Sequence, residues 1–182
     1  MEVVVVVAIV VLLPMVVIAN FPRIKLQFAL SRASYTFAQD LRKAQDRSLS
    51  SVEYKDSFGV IQAVDGYGIH IDMAVLGNKK YIIYADKQPG NSQYDSPYPS
   101  SIDYSFEVID FSLSEPGVII KEINNSFGNK TSINFNPPNS DTTITTQINP
   151  SATNVEIVFA LESDPSETRV ISVNKSGLVQ VE

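Results

Sequence analysis

Glu2-Val-Val-Val-Val-Val-Ala-Ile-Val-Val-Leu-Leu-Pro-Met-Val-Val-Ile-Ala19 runs, with no linker, into the segment Phe21–Arg47. The first part is one acid followed by hydrocarbon. In the second part, after Pro22, Leu26, Leu30, Ala33, Phe37, Leu41 and Ala44 recur at spacings of three and four, one face of a helix. Arg32, Gln39, Lys43 and Asp46 fall on other faces. The helical signal fades in Ser48-Leu-Ser-Ser51. The period then changes to two, so the chain reads as an α+β protein. Residues 1–50 form a stalk helix, apolar over 1–20 and amphipathic over 21–50, and residues 51–182 form a β-rich head.

The 182 residues suit one domain with an appendage, and 44% hydrophobic content is ordinary, but it is concentrated at the start. Charge is also uneven. Phe21–Arg47 carries Arg23, Lys25, Arg32, Arg42, Lys43 and Arg47 against Asp40 and Asp46, while the whole chain has a net charge of −6. The head is therefore acidic, a poor partner for nucleic acid, which needs clustered Lys and Arg. The basic collar is placed to meet anionic headgroups on the cytoplasmic side of a membrane, or acidic neighbours in an assembly. With no cysteine, disulfides and thiolate chemistry are absent.

The 17 residues Val3–Ala19 admit four readings. A helix of that length is roughly 26 Å at ~1.5 Å per residue, the short end of a membrane span. A buried core helix would need cover on all sides, and Val3–Val7 is a poor helix former in water. A signal peptide cut after Ala19 lacks a basic leading region, because the first charge is Glu2. A plain single-pass anchor explains neither Glu2 nor Pro14. The fourth reading is a subunit of a helical fibre. A carboxylate in hydrocarbon is costly unless paired, and a neighbour's N-terminal amine would pair it and set the axial register. Pro14 removes the bond to the Val10 carbonyl, so a kink or local unwinding is expected at Val10–Pro14. Pro22 marks a second expected bend, with Phe21 biased away from helix.

Residues 2–47 resemble the N-terminal segment of type IV pilins and of the pseudopilins of type II secretion systems. The match lies in Glu2, the run Val3–Val11, Ala8, Pro14 and Ile18-Ala-Asn-Phe-Pro22. Ala38-Gln-Asp-Leu-Arg-Lys-Ala-Gln45 resembles the second half of the stalk in H-type minor pseudopilins, as do Gly66–Ile71, Tyr81–Asp86 and Val170–Val181 more loosely. Pro14 stands earlier than the family's usual proline, where this chain has Ala19. Matching Glu2 to the family's glutamate places the mature terminus ahead of Met1. The resemblance implies a pilin-like fold, a long bent N-terminal helix with an antiparallel sheet on its C-terminal half. It also implies a structural filament subunit or a minor pseudopilin, with N-terminal methylation. Its expected partners are the membrane before assembly, inner-membrane assembly machinery, and other copies through residues 1–25. The expected location is an extracellular filament at the cell surface, reached through the cytoplasmic membrane. A membrane-anchored β-rich binding module is the rival from another class.

In the head, Phe58–Val64, Tyr67–Met73 and Lys80–Ala85 read as three strands of an antiparallel meander. Asp65-Gly66 and Gly77-Asn78 read as their turns. Asp86–Ser101 reads as a loop, in which Asp86, Asn91 and Asp95 offer oxygens to Ca²⁺. Their spacing does not fit an EF-hand, and Asx and Gly are ordinary turn residues, so no metal or other cofactor is expected. Ile102–Asp110, Val118–Ile123 and Ser132–Phe135 read as strands, and Asn136–Ser151 as an exposed loop around a Thr-rich strand with candidate O-glycan hydroxyls. Asn124, Asn129 and Asn174 match the N-glycan pattern. Val155, Ile157, Phe159 and Leu161 alternate, and Arg169–Val173 with Leu178–Val181 form a closing hairpin. Any Ser-His-Asp site would have to use His70, a lone strand histidine, so no catalysis is expected.

The fibre and anchor readings keep residues 2–19 in the mature chain, whereas a signal peptide would leave a protein beginning at Asn20. N-terminal sequencing with intact mass is expected to find the apolar run retained.

Overall fold

A computed structural model describes the chain apart from residues 1, 56–57, 96–102, 125–127, 139–140 and 148, and apart from the side chains of Glu2, Leu13 and residues 16–20. Helix α1 spans Glu2–Leu49. It is continuous through Phe21, Pro14 and Pro22, so the unwinding expected at Val10–Pro14 is not present. Each proline deletes one backbone bond, and the bonds above and below it carry the helix past the gap.

Eleven strands follow among the described residues. The short pair β1 (Tyr54–Lys55) and β2 (Ile61–Gln62) forms its own ribbon. Strands β3 (Val64–Asp72), β4 (Lys80–Lys87) and β5 (Tyr104–Asp110) are a meander, and a single turn of helix, α2 (Phe111–Ser114), follows them. Next come β6 (Val118–Asn124), β7 (Lys130–Asn136), β8 (Asp141–Thr146), β9 (Asn154–Leu161), β10 (Thr168–Asn174) and β11 (Val179–Val181). They build two antiparallel sheets, ordered β5-β4-β3-β7-β8 and β11-β10-β9-β6. The chain crosses between the sheets after β5, after β6 and after β8.

A long N-terminal helix with antiparallel sheet on its C-terminal half is the pilin-like α+β arrangement implied by residues 2–47. The head differs from the expectation in having two sheets, both packed on α1. Asp65-Gly66 is not a turn. Asp65 is the extra residue of a bulge in β3, between the Val64↔Lys87 and Gly66↔Asp86 pairs. The meander therefore starts at Val64, and of Phe58–Ala63 only Ile61–Gln62 is strand. The Thr-rich strand is not an exposed feature, because Thr142, Thr145 and Thr146 are buried on pairing β8 to β7. The closing hairpin pairs Val173 with Val179 and Ile171 with Val181.

The core forms where α1 meets both sheets. Phe37 stands edge-on to Tyr81 of β4 at 4.9 Å and lies 5.3 Å from Phe159 of β9. Phe111 of α2 closes the group, 5.5 Å from each of those two rings. Ala29, Ala33, Ala38 and Ala44 are also buried along α1, where a small side chain lets the sheets approach the helix. Truncating Phe37 to Ala removes the ring that touches both sheets. It is expected to cost about 3–5 kcal/mol in denaturant unfolding of the head. Phe28→Ala, at an exposed position, should change it by less than about 0.5 kcal/mol.

Candidate assembly interface

The first half of α1 has no head against it. From Val3 to Leu12 the large apolar side chains are 51–75% exposed, and Met15, Phe21 and Phe28 are exposed by similar amounts. Ala29 is the first buried residue among those described. Residues 3–22 thus project from the head over roughly 30 Å at ~1.5 Å per residue, and Arg23, Leu26 and Gln27 are in contact with it. Among the described residues, no helix is long and apolar enough to cross a membrane. Of residues 16–20, whose side chains lie outside the description, Val16–Ala19 belong to the apolar run. The side chain of Glu2 also lies outside it, so its pairing has no geometry here.

The second half of α1 seats the head. Leu30, Ala33, Phe37, Leu41 and Ala44 are buried, and Leu26 is partly buried against the same core. The periodicity missed Asp40, which lies between these positions and is 3% exposed. Its Oδ2 accepts the Tyr81 hydroxyl at 2.6 Å and its Oδ1 accepts Lys43 Nζ at 2.7 Å. Burial first, and then the Asp40 carboxylate, push the Tyr81 hydroxyl pKa upward, so it remains a donor.

The basic collar is partly used within the chain. Arg32 makes a two-pronged contact with Glu115, at 2.8 and 2.7 Å, and the hydrogen bond to Glu115 raises the guanidinium pKa further. Arg23 reaches Glu167 at 3.1 Å, and Arg47 lies 3.8 Å over the Phe106 ring. Arg23 and Arg32 therefore bind this chain's own acidic head, where the charge pattern suggested lipid or a neighbour. Lys25 and Arg42 are exposed on α1.

The other candidates lie on the sheet face away from α1. His70 is buried, not solvent-facing. Its Nδ1 is 2.8 Å from Ser132 Oγ, which also accepts the Tyr94 N–H at 3.3 Å. Burial, aided by Lys130, lowers His70 to about 4, so the ring is neutral at pH 7. Asp86, Asn91 and Asp95 do not converge as ligands. Asn91 turns its amide Nδ2 to Asp95 Oδ2 at 2.9 Å and spends its oxygen on Gln93 N–H. Among the described residues no group of three or more metal-binding side chains is arranged to hold an ion.

Among solved structures the chain is similar to the type IV minor pilin FimU of Pseudomonas aeruginosa strain PAO1, in two crystal forms. The TM-scores are 0.49 and 0.48 at 14% identity, covering 84% of this chain and 87% and 92% of the respective FimU chains. No family model and no curated protein matches the chain. A likeness at this level carries no residue roles across.

The Asp40–Tyr81 bond ties the stalk to the first sheet. Tyr81→Phe leaves a buried carboxylate oxygen short of a donor and is expected to cost about 1–3 kcal/mol in urea unfolding. The far-UV spectrum should be unchanged.

Proposed function

We propose that this chain is a structural subunit of a helical, type IV pilin-like filament. The observation that carries the reading is the free apolar half of α1. Thirteen large apolar side chains exposed among the described residues of 3–28 cannot rest in water. Lipid covers them before assembly, and the same segments of other copies cover them afterwards, through residues 1–25. A head seated only on the second half of the helix leaves the first half free to bundle.

In this reading Glu2 heads the apolar segment and pairs with the N-terminal amine of a neighbour, which sets the register. N-terminal methylation belongs to the same proposal. The route runs from the cytoplasmic membrane, through inner-membrane assembly machinery, to the cell surface. Pro14 and Pro22 are the points at which the stalk can bend or unwind as copies pack. No catalytic role is proposed.

The resemblance of Ala38–Gln45 and Val170–Val181 to H-type minor pseudopilins favours a second reading, a minor subunit at the tip of a secretion pseudopilus.

Glu2→Gln, made in the chain with its assembly machinery, is expected to abolish or sharply reduce filaments in electron micrographs. Thermal unfolding of the head should be unchanged. Normal filaments from that variant would remove the register role. A chain lacking residues 1–25 should assemble nothing, and full function from it would favour a membrane-anchored binding module.

A further inference from the structure

The sheet face away from α1 is covered by the segment 88–95, whose amides are held by carboxylates from several elements. Gly90 N–H donates to Asp65 Oδ2 of the β3 bulge at 2.6 Å, and Ser92 N–H to Asp86 Oδ2 at the end of β4 at 2.8 Å. Asp95 N–H donates to Asp103 Oδ2 at 2.7 Å, and Lys87 N–H to Asp103 Oδ1 at 3.0 Å. The segment lies directly on Asp86, since a Cβ on Gly90 would stand 2.5 Å from that carboxylate. The Tyr94 ring then lies tilted against His70 at 4.9 Å and against Tyr84 at 5.3 Å. It walls a cavity of about 300 Å³ with Ile82, Leu76 and Val75.

Charge and hydrogen bonding do not balance at this corner. Asp86 and Asp103 are buried, Asp65 and Asp95 stand beside them, and none of the ion pairs among the described residues involves any of the four. The nearby Lys87 ammonium lies 5.6 Å from the centre of the Tyr104 ring. Lys130 is on the His70 side of the face, and His70 is neutral. Among the described residues, two buried oxygens on this face have no partner, Asp86 Oδ1 and Asn134 Oδ1, and the fully buried Tyr84 hydroxyl has only Ser132 to pair with. The first two are acceptors, and the tyrosine has only one proton to give. A proton on Asp86 turns one orphan acceptor into a donor and removes one of two adjacent buried charges.

We propose that Asp86 and Asp103 hold one proton between them and that this proton clasps the segment 88–95 onto the sheet, closing the apolar cavity under Tyr94. When the proton leaves, the carboxylates repel and the cover loosens, so the head exposes an apolar surface on the alkaline side of neutrality. The electrostatics agree in direction. Burial foremost, then Asp103 and Asp65, push Asp86 up to about 7, and burial raises Asp103 as well. Tyr84 and Tyr94 are raised and stay neutral. An unfolded Asp titrates at about 3.9. The folded state is therefore favoured in full by this group below about pH 4. It loses that advantage as pH rises to about 7, with no further loss beyond.

The chain has no tryptophan, so Tyr94→Trp puts a single reporter on the segment. In the full chain in detergent with EDTA, its emission and acrylamide quenching are expected to change with a midpoint near pH 7. Adding Asp86→Asn should flatten both between pH 6 and 8. Because the tryptophan itself could disturb the packing, amide exchange of residues 88–95 in the unsubstituted chain is the second readout. Corrected for intrinsic rate, protection should fall about tenfold from pH 6 to pH 8. No change in protection, or an equal change in the Asp86→Asn chain, would overturn the proposal. Closure at pH 8 by calcium alone, lost with Asp86→Asn, would overturn it in favour of a cation site.

Discussion

The head depends on one contact, the insertion of Phe37 between Tyr81 and Phe159. Those rings belong to different sheets, and Phe111 of α2 bridges them on the far side. Because the chain crosses between sheets three times, neither sheet is a contiguous piece of sequence. Neither can settle its face without the other. A helix ring that fills the space between them gives both sheets the same apolar wall. Edge-to-face and tilted pairs of this kind add roughly 0.5–1.5 kcal/mol each beyond their buried area. The buried alanines of α1 complete the arrangement, because a bulky residue in their place would hold the sheets off and leave Phe37 in a void.

The same helix then has to serve two environments. Its second half is specific, with small residues, one ring and the Asp40–Tyr81 bond fixing the head at one rotation and one height. Its first half is chemically uniform over residues 3–18, mostly Val, Ile and Leu. Uniform hydrocarbon fits the proposed cover by lipid and then by other helices, since neither environment demands a particular side chain at a particular place. The ion pairs of Arg23 and Arg32 lie near the junction and tie the basic collar back to the head. The charged part of the stalk is therefore held near the head while the apolar part stays free.

How far the fold could be read from sequence follows from whether each signal is local. The helical stripe and the alternation in Tyr67–Ile71 and Val155–Leu161 are local, and the structure has helix and strands there. Features set by distant partners were not legible. Asp65-Gly66 has turn composition, yet β4 and the Gly90 amide hold it as a bulge. His70 alternates with apolar residues as an outward-facing position would, but the segment around Tyr94 lies across it. Asp40 looks like a surface charge because only a tyrosine in another element shows that it has a buried partner. Two sheets in place of one were hidden for the same reason, since strand patterning reports faces and not neighbours.

The two prolines of α1 support the division between its halves. Both lie in the part without the head, and neither interrupts the helix. Each leaves one carbonyl, those of Val10 and Ile18, without its usual backbone donor. In the packed half such a gap would weaken the element that positions the core, and no proline occurs between Arg23 and Leu49. In the free half the helix has only its own backbone bonds and Val-rich propensity to hold it, and Val favours helix less than Ala or Leu does. Nothing there opposes a local change of pitch as strongly as the aromatic junction does at Phe37. The stalk is therefore built so that deformation falls on the segment proposed to meet other molecules and spares the segment that carries the head.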